Sequence, residues 1–197
     1  MQQPDLTCAA SYALERLARE LVPTLRYHSL AHTRDDVVPA AERLAELGGV
    51  VGDALLLLRT AAYYHDVGFV QQRAEHEAAS VAIARLALPS CGYSAAHIDT
   101  ISDMIMATRL PQSPRTLPEQ LLADADLDVL GRGDFLKRNQ TLRAELAAFG
   151  APLPDNEWYE QQIRFLQSHR YWTPAARDLR DAGKQKNIAL LEALLVG

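Results

Sequence analysis

Residues 63–69 read YYHDVGF, a histidine and an aspartate side by side at the end of an apolar run. If the segment before them is one helix turning about 100° per residue, Leu55, Leu58, Ala62 and His65 fall within about 80° of one another, and Asp66 flanks the same stripe. Two ionisable residues therefore point toward a core, where a charge needs a partner or a metal. Side chains of neighbouring residues on a helix diverge by about 100°, so this pair can converge only where the helix ends or bends. Gly68 supplies such an end, as a glycine suited to the left-handed C-terminal cap. A capping histidine with its partner carboxylate would satisfy the same pattern, and the pair alone leaves both readings open.

Outward from this stretch, helical periodicity recurs nearly everywhere. YALERLARELV places Leu14, Leu17, Ala18 and Leu21 on one face, and HEAASVAIARLAL places Ala79, Ala82, Ile83 and Leu86 on another. No run alternates convincingly enough for a strand. The spacing predicts helices over 7–22, 30–47, 52–67, 75–88, 94–108, 118–131, 133–149, 155–171 and 184–195. Breaks have chemical causes: Gly48-Gly49 closes one helix, and three prolines in LPQSPRTLP at 110–118 remove donors and fix φ. APLPDNEW at 151–158 reads as a loop ending in an N-cap, with Asp155 the capping residue. No linker is long enough to separate domains, so the expectation is one all-α domain, a helical bundle, over 197 residues.

Composition excludes several classes of function. With 48% apolar residues the chain can build a proper core, and a net charge of −5 argues against a protein that coats nucleic acid. Cys8 and Cys91 stand far apart without a CxxC or finger spacing, so neither a disulfide scaffold nor a thiolate zinc site is indicated, and reduced thiols are expected. The longest apolar stretch, around Ala54 to Leu58, is too short for a bilayer, and MQQPDL lacks the regions of a signal peptide. A cytoplasmic protein, with neither membrane nor nucleic acid as a partner, is the expectation; oligomeric state is not legible.

Three further stretches can carry metal or acid–base chemistry. In YHSLAHT, His28 and His32 lie about 40° apart if they share a helix, a geometry that suits one metal, a ligand beside a proton donor, or two solvated residues. LLADADLDVLGRGD suggests a calcium loop, but positions six and twelve would be Val129 and Phe135 where glycine and glutamate are needed. On a helix Asp126 shares a face with Leu122, Ala125 and Val129, whereas Asp124 and Asp128 lie roughly opposite, so Asp126 is the inward carboxylate. In EHEAAS, glutamates of a first helical turn favour the helix dipole, and His76 can join a second metal or contact substrate if the turn after Gly68 folds it back.

The order YHSLAHT, AAYYHDVGF, LLADADLDVLG, over about residues 27–131, resembles the HD-domain superfamily of metal-dependent phosphohydrolases, whose pattern is His, then His-Asp, then a distant Asp. The resemblance implies a helical bundle holding one divalent ion through His32, His65, Asp66 and Asp126. It places His28 where the cyclic-nucleotide phosphodiesterase branch keeps the proton donor to the leaving oxygen. SHRYWTPAARDLRDAGKQKN is similar to tails of small prokaryotic members. The two-metal branches carry more histidines between the His-Asp pair and the last aspartate; here only His76 and His97 fall in that interval, and MIMATRLPQ has Arg109 where a histidine-rich turn would stand. A single metal is therefore expected.

What this implies is hydrolysis of a phosphate ester or anhydride, with a divalent ion lowering the pKa of water from about 15.7 toward about 7. Imidazole and carboxylate ligands suit manganese, magnesium, iron(II) or nickel alike. Asp66 is the expected base. Arg109, Lys137, Arg138 and Arg170 are candidates for phosphate contact, since an acidic chain must attract its anion somewhere. The expected substrate is a small phosphorylated molecule of the nucleotide class, unresolved further because no P-loop or GxGxxG fingerprint is present. The competing reading is a non-catalytic helical regulator or ligand sensor that retains the metal site.

Overall fold

The structure, a computed structural model, describes residues 3–196, and among them every regular element is helical. The chain forms two compact units, one of His28–Asp126 with the segment up to Val22, the other of Pro23–Tyr27 with the chain from Leu127 onward. In the first unit, α1 (Leu6–Glu20), α2 (Val38–Leu47), α3 (Gly52–Tyr64), α4 (His76–Ala87), α5 (Ala95–Ala107) and α6 (Leu117–Asp126) pack around α3. Its C-terminal half is apolar on most of its surface and is covered accordingly: α1, α2, α5 and α6 lie against it, burying Leu57, Leu58, Ala61, Ala62 and Tyr64, while Arg59 reaches out to Glu42. Each fully buried leucine contributes about 1.5–3 kcal/mol. Thr60, polar and fully buried inside this run, donates to the Leu56 carbonyl and shares a 2.7 Å hydrogen bond with the Tyr93 hydroxyl.

Several boundaries differ from the periodicity. The helix expected over 30–47 begins as a π-helical stretch, His32–Val37, and becomes α2 only at Val38. The helix expected to reach residue 67 stops at Tyr64, and a 3₁₀ turn, Val67–Val70, follows. Gly68 lies within that turn and is absent from the positive-φ residues, so it is no left-handed cap. Its lack of a side chain serves close approach instead. A Cβ there would collide with the His76 carbonyl oxygen and stand 2.6 Å from the Ser80 nitrogen.

Cys8 and Cys91 are joined in a disulfide, which corrects the expectation of reduced thiols. Nothing in their spacing signals it; the pairing exists because α1 packs against the 3₁₀ turn Leu88–Cys91, where Asp5 N–H donates to the Cys91 carbonyl at 2.9 Å. Among the described residues no helix is long and apolar enough to cross a membrane.

In the second unit, α7 (Phe135–Ala148), α8 (Asp155–Ser168) and α9 (Pro174–Val196) follow a 3₁₀ turn at Asp128–Gly131. Trp158 donates to Asn139 at 2.7 Å, and Asn139 in turn donates to Gln162 at 2.6 Å, so the buried amides of α7 and α8 satisfy one another. Asp155 is the first helical residue and pairs with Arg143 at 2.6 Å; the cap position belongs to Pro154, which corrects the expected N-cap. α9 begins ten residues before the predicted 184 because Thr173 accepts from Ala176 N–H at 3.2 Å, a start signal that Pro174 reinforces at the first helical position.

Candidate metal centre

Three segments of the first unit bring the candidate ligands together. His65 keeps helical backbone at φ −54°, ψ −40°, and Asp66 leaves it at φ −107°, ψ 3°, so the side chains converge where an uninterrupted helix would splay them. His65 Nε2 stands 3.3 Å from Asp66 Oδ2 and 3.6 Å from Asp126 Oδ1. From the π-helical stretch, His32 Nε2 lies 3.3 Å from Asp126 Oδ1 and 3.6 Å from Asp66 Oδ2. Asp126 is the final residue of α6, so its carboxylate reaches the cluster from the helix end.

The far side of each histidine is tied down. His65 Nδ1 donates to the Ala62 carbonyl at 2.8 Å, which in the neutral ring leaves Nε2 as a lone pair aimed at the cluster. His32 Nδ1 has the Asp36 carboxylate 3.9 Å away. Burial disfavours the charged form of His32, but Asp126, Asp36 and Asp66 outweigh it and raise the pKa. For His65 burial is likewise overcome, here by Asp66 and Asp126, and the pKa stands well above the ordinary value. Burial would raise the two carboxyl groups; His65 chiefly holds Asp66 well below the carboxylate range, and His32 and His65 do the same for Asp126.

The donor set fits a cation. His32, His65 and Asp66 are at most 4% exposed, and each offers an atom within 4.8 Å of the others. His65 Nε2 and Asp66 Oδ2 are buried yet make no hydrogen bond, despite standing 3.3 Å apart. Leaving such groups unsatisfied costs about 1–3 kcal/mol each. A divalent ion held by these two imidazoles and two carboxylates would satisfy both atoms.

The other expected residues are placed as follows. His76 Nε2 lies 3.3 Å from Asp66 Oδ1, so the Asp66 carboxylate turns one oxygen to each side. Burial lowers the His76 pKa, but Asp66 and Glu77 together raise it. His28 stacks on Phe69 with ring centroids 4.4 Å apart, Phe69 stacks on His76 at 3.9 Å, and the three rings line one flank of the cluster. Arg109 pairs with Glu75 at 3.0 Å on the exposed rim, Glu75 being in the left-handed region at φ 56° immediately before His76. Arg138 and Arg170 belong to the second unit, where the Arg138 guanidinium lies over the Tyr27 ring at 5.1 Å and Arg170 is exposed.

Asp124 and Asp128 are both buried, which corrects their expected outward placement. α6 buries five residues in a row from Leu121 to Ala125, so no face is solvent-facing there, and it ends before Asp128, which Arg180 engages at 2.6 and 2.9 Å. Asp36, Glu77 and Ser80 were not among the sequence candidates. Asp36, four residues after His32, carried a legible signal; Glu77, 3.6 Å from His76 and buried, was hidden by the ordinary role of a first-turn glutamate.

No protein-family model and no curated protein sequence matches the chain. Among solved structures, a predicted HD superfamily hydrolase from an uncultured Thermotogales bacterium is similar over 98% of this chain and 92% of its own, with a TM-score of 0.66 at 18% identity. A protein of Lactobacillus plantarum is similar over 95% of both chains, with a TM-score of 0.68 at 20% identity. Identity this low speaks to fold alone: the chain shares an all-α fold with a structure described as a predicted HD superfamily hydrolase, and within that fold its own His32, His65-Asp66 and Asp126 converge on one cluster.

Proposed function

We propose that the protein is a metal-dependent phosphohydrolase, using one divalent ion held by His32, His65, Asp66 and Asp126 to cleave a phosphate ester or anhydride of a nucleotide-class substrate. The observation that carries this reading is the pair of buried, unsatisfied ligand atoms, His65 Nε2 and Asp66 Oδ2, inside a set of two imidazoles and two carboxylates that face one another. The Thermotogales protein of the same fold is described as a predicted hydrolase, which agrees with this reading. When bound, a divalent ion supplies positive charge against phosphoryl oxygens and acidifies water.

The chain's own residues supply the rest. Asp66 Oδ1, turned toward His76, is placed to orient the attacking water; with its pKa held so low, the carboxylate accepts a hydrogen bond far better than it retains a proton. His28, held flat against Phe69, is the proton donor to the leaving oxygen. Arg109 stands on the rim, where it can exchange Glu75 for a substrate phosphate.

Manganese titrated into metal-free protein, with bound stoichiometry and rate followed on a panel of nucleotides and phosphoesters, tests the proposal. Activity saturating near one equivalent is the expected result. Stoichiometric metal without turnover on any substrate would instead mark a metal-bearing regulator.

A further inference from the structure

We propose that Ser80 is a positioning residue for the metal centre, its hydroxyl clamping the His65–Gly68 turn onto α4 and so fixing how Asp66 divides its two oxygens. This rests on the reading that the cluster holds a cation. Ser80 is fully buried, one helical turn beyond His76 on the same face of α4. Its Oγ donates to the His65 carbonyl at 2.7 Å and accepts from Gly68 N–H at 2.8 Å. Both groups lose their intrahelical partners because α3 stops at Tyr64, and one side chain from another helix satisfies the acceptor and the donor together. The hydroxyl thereby brackets Asp66 from either side along the chain.

A second observation points the same way. Gly68 touches the His76 and Ser80 backbone so closely that even a methyl group would not fit. Turn and helix therefore meet in one register, which puts His76 Nε2 3.3 Å from Asp66 Oδ1 while Asp66 Oδ2 stays 3.3 Å from His65. Without the clamp only the Gly68 contact holds the turn, and the ligand oxygen is fixed less firmly. Outer groups that orient metal ligands are worth about 10–100-fold in metal affinity.

The test is the Mn²⁺ affinity of metal-free, full-length protein, read from the electron paramagnetic resonance signal of unbound Mn²⁺, with melting temperature recorded alongside. Ser80→Ala is expected to fold, melt earlier and bind Mn²⁺ about 10–100-fold more weakly. Ser80→Thr, which keeps the hydroxyl on the same carbon, regains most of that loss. Ser80→Cys, which keeps the volume but hydrogen-bonds weakly, falls between them and preserves the test if the alanine variant does not fold. The control is Ser102→Ala: Ser102 is also buried and donates to the Ile98 carbonyl at 2.7 Å inside α5, away from the turn, so its loss lowers the melting temperature and leaves Mn²⁺ affinity alone. Wild-type affinity in Ser80→Ala, or an equal loss in Ser102→Ala, overturns the proposal while the phosphohydrolase reading stands. A wild-type protein that takes up no cation overturns both.

Discussion

His65 in the first unit and His169 in the second are both imidazoles withdrawn from solvent, and they face charges of opposite sign. Around His65 burial alone would depress the pKa, yet Asp66 and Asp126 lift it well above the ordinary value. Around His169 burial and the Lys184 ammonium act together and push it down to about 4. Lys184 Nζ donates to the His169 carbonyl at 2.6 Å, lies 3.4 Å from Nδ1 and sits over the Tyr171 ring at 5.3 Å. That ammonium caps the C-terminal end of α8, where the helix dipole favours positive charge. A histidine drawn out of solvent is thus no site by itself. The carboxylates facing His65 favour positive charge there, whether a proton or a metal ion, whereas at His169 the chain already supplies a cation, Lys184.

The contrast is broken most directly by removing ligands. His32→Ala, His65→Ala, Asp66→Ala or Asp126→Ala is expected to lose most bound metal and nearly all turnover, while His169→Gln keeps both. Metal content by mass spectrometry on protein purified without chelator decides it. Loss in His169→Gln as deep as in His65→Ala would show that the sign of the surrounding charge does not separate the two histidines.

A smaller effect is expected at His28, which lies beside the cluster, its ring 6.1 Å from that of His32, without completing the ligand set. His28→Gln should bind metal normally and turn over about 10²–10⁴-fold more slowly, the range for a lost general acid. Rate profiles across pH then sharpen the comparison: the variant loses the limb that the wild type owes to the donor. An unchanged profile would make His28 a packing residue against Phe69.

How much of this was legible follows from which physics each feature uses. The bundle and the His-Asp pair could be read because burial imposes a period on the chain; Asp126 was singled out by its helical face, yet it is more exposed than Asp124 or Asp128 and meets the cluster as the last residue of α6. The disposition of Asp124 and Asp128 could not, since a helical wheel assumes one wet face and a helix that continues, and α6 has neither over that stretch. Gly68 was rightly marked as special but for the wrong reason: a glycine kept for backbone contact and one kept for positive φ look alike in sequence. Ser80 left no trace, because its partners are backbone groups of a turn fifteen and twelve residues away. The disulfide was invisible for a similar reason, its cysteines being 83 residues apart and joined by packing.

The smallest expected effect reads the comparison as opposite pH limbs. His169 is neutral in the folded protein down to about 4, whereas in the unfolded chain it takes up a proton near the ordinary value of about 6.5. As pH falls from about 6.5 toward about 4, the unfolded state therefore binds a proton that the folded state refuses, and folding stability declines by at most about 3 kcal/mol. For His32 and His65 the sign reverses in metal-free protein: their contribution is full below about 6.5 and is lost as pH rises through their raised values. Chemical denaturation of the metal-free protein at a series of pH values should show His169→Gln flattening the limb between about 6.5 and about 4 and leaving the alkaline limb, and His65→Gln flattening the alkaline limb. Added manganese should oppose the alkaline loss, because it competes with protons for the same Nε2 atoms, and should leave the acid limb of His169 unchanged. If His169→Gln instead reproduces the wild-type acid limb, Lys184 and burial do not hold that ring neutral, and the two histidines are not opposites.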